Sequence, residues 1–284
     1  MSKVIACIDD SIYANSVCDH AVWAARQLQI PLELLHAINR HPETATAADL
    51  SGNIGLGAQE TLLEQLSELD EQRSKLSQER GRLLLEGVKQ RALDAGLTDV
   101  ETRQRHGALV ETLTDLESDT RLFVVGKCGR SADQAQPHLG ANLERAVRAL
   151  HRPILVVTEQ HQEMRSALIA FDGSATTRKG IEMIAASPLL QGMELHLLMV
   201  AEDNDKHRGQ IRDAENLLAA AGFNVHTELR PGYAEQVIPA YAEEQQLSLL
   251  IMGAYGHSRI RQFIVGSTTT ALLRTCDRPI LLLR

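Results

Sequence analysis

Leu249-Leu250-Ile251-Met252-Gly253-Ala254-Tyr255-Gly256 is an apolar run ending in two glycines, and after nine more residues the chain reads Gly266-Ser267-Thr268, followed by a helical pattern over Thr269 to Thr275. A short, continuous apolar run of this kind predicts a strand buried on both faces, as in a parallel sheet covered by helices. Glycines at its end let backbone amides come close to an anion. The helix that starts near Ser267 adds unpaired N–H groups and the positive end of its dipole. Ser267 and Thr268 contribute hydroxyl donors, so a polyphosphate could be held here without a side-chain cation.

The same pattern occurs earlier in the chain. Leu122-Phe123-Val124-Val125-Gly126-Lys127-Cys128-Gly129 repeats the strand and glycine pair, and Arg152-Pro153-Ile154-Leu155-Val156-Val157 returns 126 residues later as Arg278-Pro279-Ile280-Leu281-Leu282-Leu283. Val4-Ile5-Ala6-Cys7-Ile8-Asp9-Asp10-Ser11 parallels Ala167-Leu168-Ile169-Ala170-Phe171-Asp172-Gly173-Ser174 at a spacing of 163, so the first copy carries about 37 extra residues. Between these anchors each copy alternates apolar runs with longer amphipathic stretches. The chain is therefore expected to be two α/β domains, 1–160 with a helical insertion at about 41–95, and 161–284, with residues 158–165 as linker. Each domain would be an open five-stranded parallel sheet of Rossmann-like kind with helices on both faces. Ligands on such sheets bind beyond the carboxyl ends of the strands, where the strand order switches.

The insertion predicts a loop, Asp49-Leu50-Ser51-Gly52-Asn53-Ile54-Gly55-Leu56-Gly57, and then a long helix over 58–95. Leu62, Leu69, Leu76 and Leu83 recur every seven residues, but of the companion positions Gln59, Leu66, Arg73, Arg80 and Gly87 only one is apolar, so a self-standing coiled coil is poorly supported. A long amphipathic helix lying on its own domain is the main expectation, and a partner or dimer seam the alternative.

Composition narrows the function classes. A net charge of −8 argues against a nucleic-acid surface built on positive charge, and 3% aromatic residues leave little for base stacking. The amino-terminal run reaches Asp9 and Asp10 after one strand length and no stretch of about 20 apolar residues follows, so neither a signal peptide nor a membrane span is expected and a cytoplasmic location is. Cys7, Cys18, Cys128 and Cys276 show no metal-ligand spacing and read as reduced, mostly buried thiols. Asp9 and Asp10, adjacent on an extended chain, point to opposite sides, which disfavours a shared metal.

The G-x2-G-x9-G-S loop, the Ala170-Phe171-Asp172-Gly173-Ser174 opening and the duplicated layout resemble the universal stress protein family over nearly the whole chain, and the insertion is similar to its E-type tandem members. The resemblance implies a pseudo-twofold pair of domains and a regulatory ATP site, with or without magnesium. By position, Asp172 would meet the adenosine portion, Val200 would pack near adenine, and Gly253, Gly256, Gly266, Ser267 and Thr268 would hold ribose and phosphates. Asp172 also has the pattern of a helix cap, Val200 of a core residue and His257 of an exposed loop residue. The first copy departs from the motif: ten residues separate Gly129 from Gly140, Ala141-Asn142 replaces the hydroxyl pair, Ala37 stands for Val200 and Asp10 for Gly173. Lys127 and Arg130 add charge there. The first copy is expected to be empty of ATP or to take another ligand.

Two other readings stay open: a module that binds an amphiphilic or apolar metabolite in the first copy, with the loop at Ile54-Gly55-Leu56-Gly57 as flap, and an adenylylating enzyme using Arg259 and Arg261. The chain has no Walker G-K-[ST] and no G-x-S-x-G elbow, so at most slow ATP hydrolysis is expected. The closing strands of the two copies could pair within one chain and leave a monomer; a homodimer through the long helix is the alternative.

Overall fold

The computed structural model describes residues 2–38, 56–128, 140–254 and 266–284, with the side chains of 56–64 left aside. The first half runs β1 (Lys3–Cys7), α1 (Ala14–Leu28), β2 (Leu32–Ile38), α2 (Leu56–Asp94), β3 (Val100–His106), α3 (Leu109–Leu116), β4 (Thr120–Gly126), α4 (Ala141–Ala149) and β5 (Ile154–Val157). The second repeats it as β6 (Ser166–Ala170), α5 (Ala175–Ala185), β7 (Glu194–Val200), α6 (Asp205–Ala220), β8 (Val225–Arg230), α7 (Ala234–Glu244), β9 (Leu249–Gly253), α8 (Ser267–Thr275) and β10 (Ile280–Leu283). The apolar runs of the second half, which predict strands near 167–171, 194–200, 224–229, 248–252 and 280–283, form strands within one residue of those bounds.

All ten strands join one sheet in the order β3-β2-β1-β4-β5-β10-β9-β6-β7-β8. Within each half every pairing is parallel; the halves meet through an antiparallel β5–β10 ladder with Leu155 opposite Leu281. Because Leu155 and Leu281 are equivalent in the repeat, the pseudo-twofold axis passes between them. Each half thereby covers the other's inner edge strand.

Alternation along the strands assigns the two faces. Val4, Leu34, Leu122, Leu155, Leu197, Ile251 and Leu281 point to a core shared with α1, α2, α5 and α6. Ile5, Leu35, Phe123, Val156, Leu198, Leu250 and Ile280 point to one covered by α3, α4, α7 and α8. Both cores continue across the β5–β10 junction.

Helix α2 departs from the expectation for its leucines. Leu85, Val88 and Ala92 are buried, whereas Leu69, Leu76 and Leu83 are at least half exposed. The helix does lie on its own half, but through a face other than the seven-residue repeat. Arg91 grips Asp19 with two hydrogen bonds of 2.6 and 2.7 Å, and Cys18 donates to the Val88 carbonyl. The buried trio has the spacing of Ile211, Ala214 and Leu218 on α6, which is 16 residues long against 39 for α2. The last turns of α2 are thus the counterpart of α6, and the exposed leucines belong mainly to its extension.

Candidate functional site

Strand β6 has β7 on one side and β9 on the other, with Ile169 opposite Ile251. The crossover after β6 leads away to β7 and the one after β9 leads the opposite way to β10, so the strand order switches between β6 and β9. Asp172 follows the carboxyl end of β6 and Gly253 ends β9, which brings both to this switch point.

Gly173 has φ of +70°, and a Cβ there would come within 2.8 Å of the Gln210 side chain. The chain therefore turns at Gly173 in a conformation that other residues adopt only at a cost. Exposed Asp172 stabilises the turn. Its Oδ1 accepts from the Ser174 amide at 2.9 Å and from the Thr177 hydroxyl at 2.7 Å, while Ser174 Oγ caps α5 by accepting from the Thr177 amide at 3.3 Å. The cap of α5 is thus Ser174 rather than Asp172, whose carboxylate holds the turn that leads into it. Val200, half-buried, ends β7 and rests on the core beneath.

Gly266 is the residue before α8, and its carbonyl accepts the first helical bond, from Thr270, at 2.9 Å. Within the helix the amides of Ser267, Thr268 and Thr269 have no carbonyl one turn below, and they form the positive end of its dipole. Ser267 is exposed and Thr268 half-buried. Buried Thr269 donates its hydroxyl to the Gly253 carbonyl at 3.3 Å, tying the first turn of α8 to the end of β9. Thr269 was absent from the residues picked out by sequence; its signal was only the run Ser267-Thr268-Thr269-Thr270, in which no position stands out. Gly256, His257, Arg259 and Arg261 lie outside the described residues, as do Gly129, Arg130 and the loop up to Gly55.

The corresponding place in the first half is differently furnished. Tyr13 lies against the end of β4: a Cβ on Gly126 would be 2.8 Å from Tyr13 Cβ and 3.1 Å from its ring. Asp10 pairs with Arg80 from α2. Asp9 holds the Ser11 amide at 3.2 Å. The Lys127 ammonium, whose pKa burial draws below the ordinary lysine value, donates to the Cys276 carbonyl of the other half at 2.8 Å. That cation is thus directed into the junction between halves rather than toward an anion at the strand ends.

An apolar cleft lined by Leu28, Leu122, Met183, Leu190, Leu281 and Leu283 opens between the halves, at the amino end of β4 and the carboxyl end of β10. Among the described residues no helix is long and apolar enough to cross a membrane.

Comparison with known proteins agrees with this architecture. The family model described as the universal stress protein family matches residues 1–158 and 202–284. The matched regions contain Gly253, Gly266, Ser267 and Thr268, whereas Asp172 and Val200 fall between them. A universal stress protein of Synechocystis is 37% identical across the full length of both chains. One from Mycobacterium tuberculosis is 24% identical over 99% of this chain and 96% of its own. Among solved structures, a universal stress protein from Archaeoglobus fulgidus superposes with a TM-score of 0.71, covering 99% of this chain and 98% of that one at 20% identity.

Proposed function

Because this chain belongs to the universal stress protein family, we propose that it is a regulatory nucleotide-binding protein whose second half holds ATP, with or without magnesium. The observation that carries this reading is the tie between Thr269 and Gly253: it sets the open amides at the start of α8 beside the carboxyl end of β9, at the switch in strand order. In this reading Gly253, Gly256, Gly266, Ser267 and Thr268 hold the ribose and phosphates, Asp172 meets the adenosine, and Val200 forms the wall near adenine. Thr269 acts as a positioning residue. The nucleotide serves as a ligand that shifts conformation or partner choice.

The first half does not take ATP in this proposal. Tyr13 against Gly126, Asp10 held by Arg80 and the turned-away Lys127 all support a diverged copy. Calorimetric titration of the nucleotide-stripped protein with ATP and magnesium tests the reading. We expect one site per chain, lost in Gly266→Val, whose side chain obstructs the approach of phosphate oxygens to the backbone while the circular dichroism spectrum is retained. Two sites would mean that the first half is competent. Unchanged affinity in folded Gly266→Val would remove the site from the start of α8.

A further inference from the structure

Glu194 and His196 stand two apart on β7, so both side chains leave the same face, and His226 is the register partner of His196 on edge strand β8. Glu194 Oε1 lies 3.1 Å from His226 Nε2 and 3.6 Å from His196 Nε2. Donor atoms of all three fall within 4.8 Å of one another, the one such group among the described residues. Zinc takes imidazole nitrogen and carboxylate oxygen at about 2.0–2.1 Å, which places neighbouring donors of a tetrahedron about 3.3 Å apart. The two spacings, 3.1 and 3.6 Å, bracket that edge.

We propose that Glu194, His196 and His226 form a zinc(II) site on the edge of the sheet, with a fourth position open to water. The site is independent of the nucleotide reading. It lies near the amino end of β7, about 13 Å along the strand from Val200 at about 3.3 Å per residue. His196 is oriented from outside the cluster: its Nδ1 sits 2.8 Å from the Tyr241 hydroxyl, which leaves Nε2 facing Glu194 and His226. Tyr241 is itself held, with the Arg230 guanidinium 4.5 Å above its ring and Arg230 paired to Glu244 at 2.7 Å. Partners of this kind fix the tautomer and direction of a metal-binding histidine. Glu194 and His226 are each slightly more than half exposed, which leaves a path for the ion.

The equivalent place in the first half shows that the fold does not require this cluster. Register equates His196 with Glu33 and His226 with Glu101. There Lys3 and Arg103 supply the positive charge to buried Glu33, and Lys3 also approaches Glu101 at 3.8 Å. Ser166 occupies the place of Lys3 in the second half and bonds to Ser248 instead. The carboxylate of Glu194 is left with imidazoles, a donor set that suits zinc.

The test is titration of the chelator-treated full chain with zinc chloride, followed by substitution with cobalt(II) for its visible spectrum. We expect one zinc per chain, weakened at least about 10-fold in His226→Ala and in Glu194→Gln, and about 10-fold in Tyr241→Phe. The cobalt form should show tetrahedral d–d bands without thiolate charge transfer. Absence of zinc binding, wild-type affinity in both His226→Ala and Glu194→Gln, or a cobalt spectrum dominated by thiolate bands would overturn the proposal, the last by moving the ion to the cysteines.

Discussion

His20, on α1, is fully buried with its two nitrogens differently served. Nδ1 lies 2.7 Å from the Ser16 carbonyl, which can only accept, so the proton of the neutral ring is on Nδ1; buried Nε2 has no hydrogen-bond partner among the described residues. Burial is the main cause that lowers its pKa from 6.5 to about 4, and the His161 ring, at 4.6 Å between centroids, adds to it. The Ser16 carbonyl and Asp19, itself gripped by Arg91, act in the opposite sense. Unfolding raises the pKa, so between pH 6.5 and 4 the unfolded chain binds the extra proton and stability falls as the solution is acidified. The loss attributable to this group is about 3 kcal/mol at pH 4 and vanishes above pH 6.5. Urea unfolding of the wild type and His20→Leu checks it: the stability difference should move in favour of His20→Leu by about that amount from pH 7 to pH 4. A constant difference would contradict the buried neutral ring. At this scale the sequence was partly legible. Asp172-Gly173-Ser174 announces a turn and a cap through residue types alone. Glu194, His196 and His226 announce nothing, because the two histidines stand 30 positions apart and only strand register joins them.

Helix α2 carries two kinds of leucine, and their expected behaviour differs. Leu85 is 4% exposed and touches the core shared with α1, whereas Leu76 is 70% exposed. Leu85→Ala should destabilise the protein by about 3 kcal/mol, the transfer term plus a cavity, while Leu76→Ala should stay within about 0.5 kcal/mol. Urea midpoints of the two variants decide the matter. Equal losses would mean that the leucine repeat is covered in solution, as a seam between two copies would require. The repeat of seven drew attention in the sequence because it is regular. The face that packs instead follows the 85, 88, 92 spacing of one helical face, and the 3.6-residue period alone did not single it out in a stretch so rich in leucine. Only alignment with α6 in the second half distinguishes the turns that belong to the fold from those that extend it.

The duplication made most of the architecture readable: apolar runs fixed the strands, the repeat fixed their equivalence, and the closing runs were candidates for pairing within the chain. What no single stretch encodes is that pairing β5 with β10 fuses two sheets into one and makes both cores continuous across the junction. Each half then depends on the other for the cover of its inner edge and for part of its buried surface, so the chain should unfold as one unit. Trp23, the single tryptophan, lies on α1 of the first half and packs on the shared core, whereas far-ultraviolet circular dichroism reports helices of both halves. In urea the two signals should give one coincident transition. Leu281→Asp places a carboxylate at a position 2% exposed, opposite Leu155 on the pseudo-twofold axis. Burying that charge without a partner costs several kcal/mol, and it weakens the contact between halves before either half's outer strands. The expected result is an earlier dichroism change with the Trp23 transition lagging behind it. Separate transitions in the wild type would show that the halves fold independently despite the shared sheet, whereas coincident transitions in folded Leu281→Asp would place the coupling in the helices around the cleft rather than in the β5–β10 ladder.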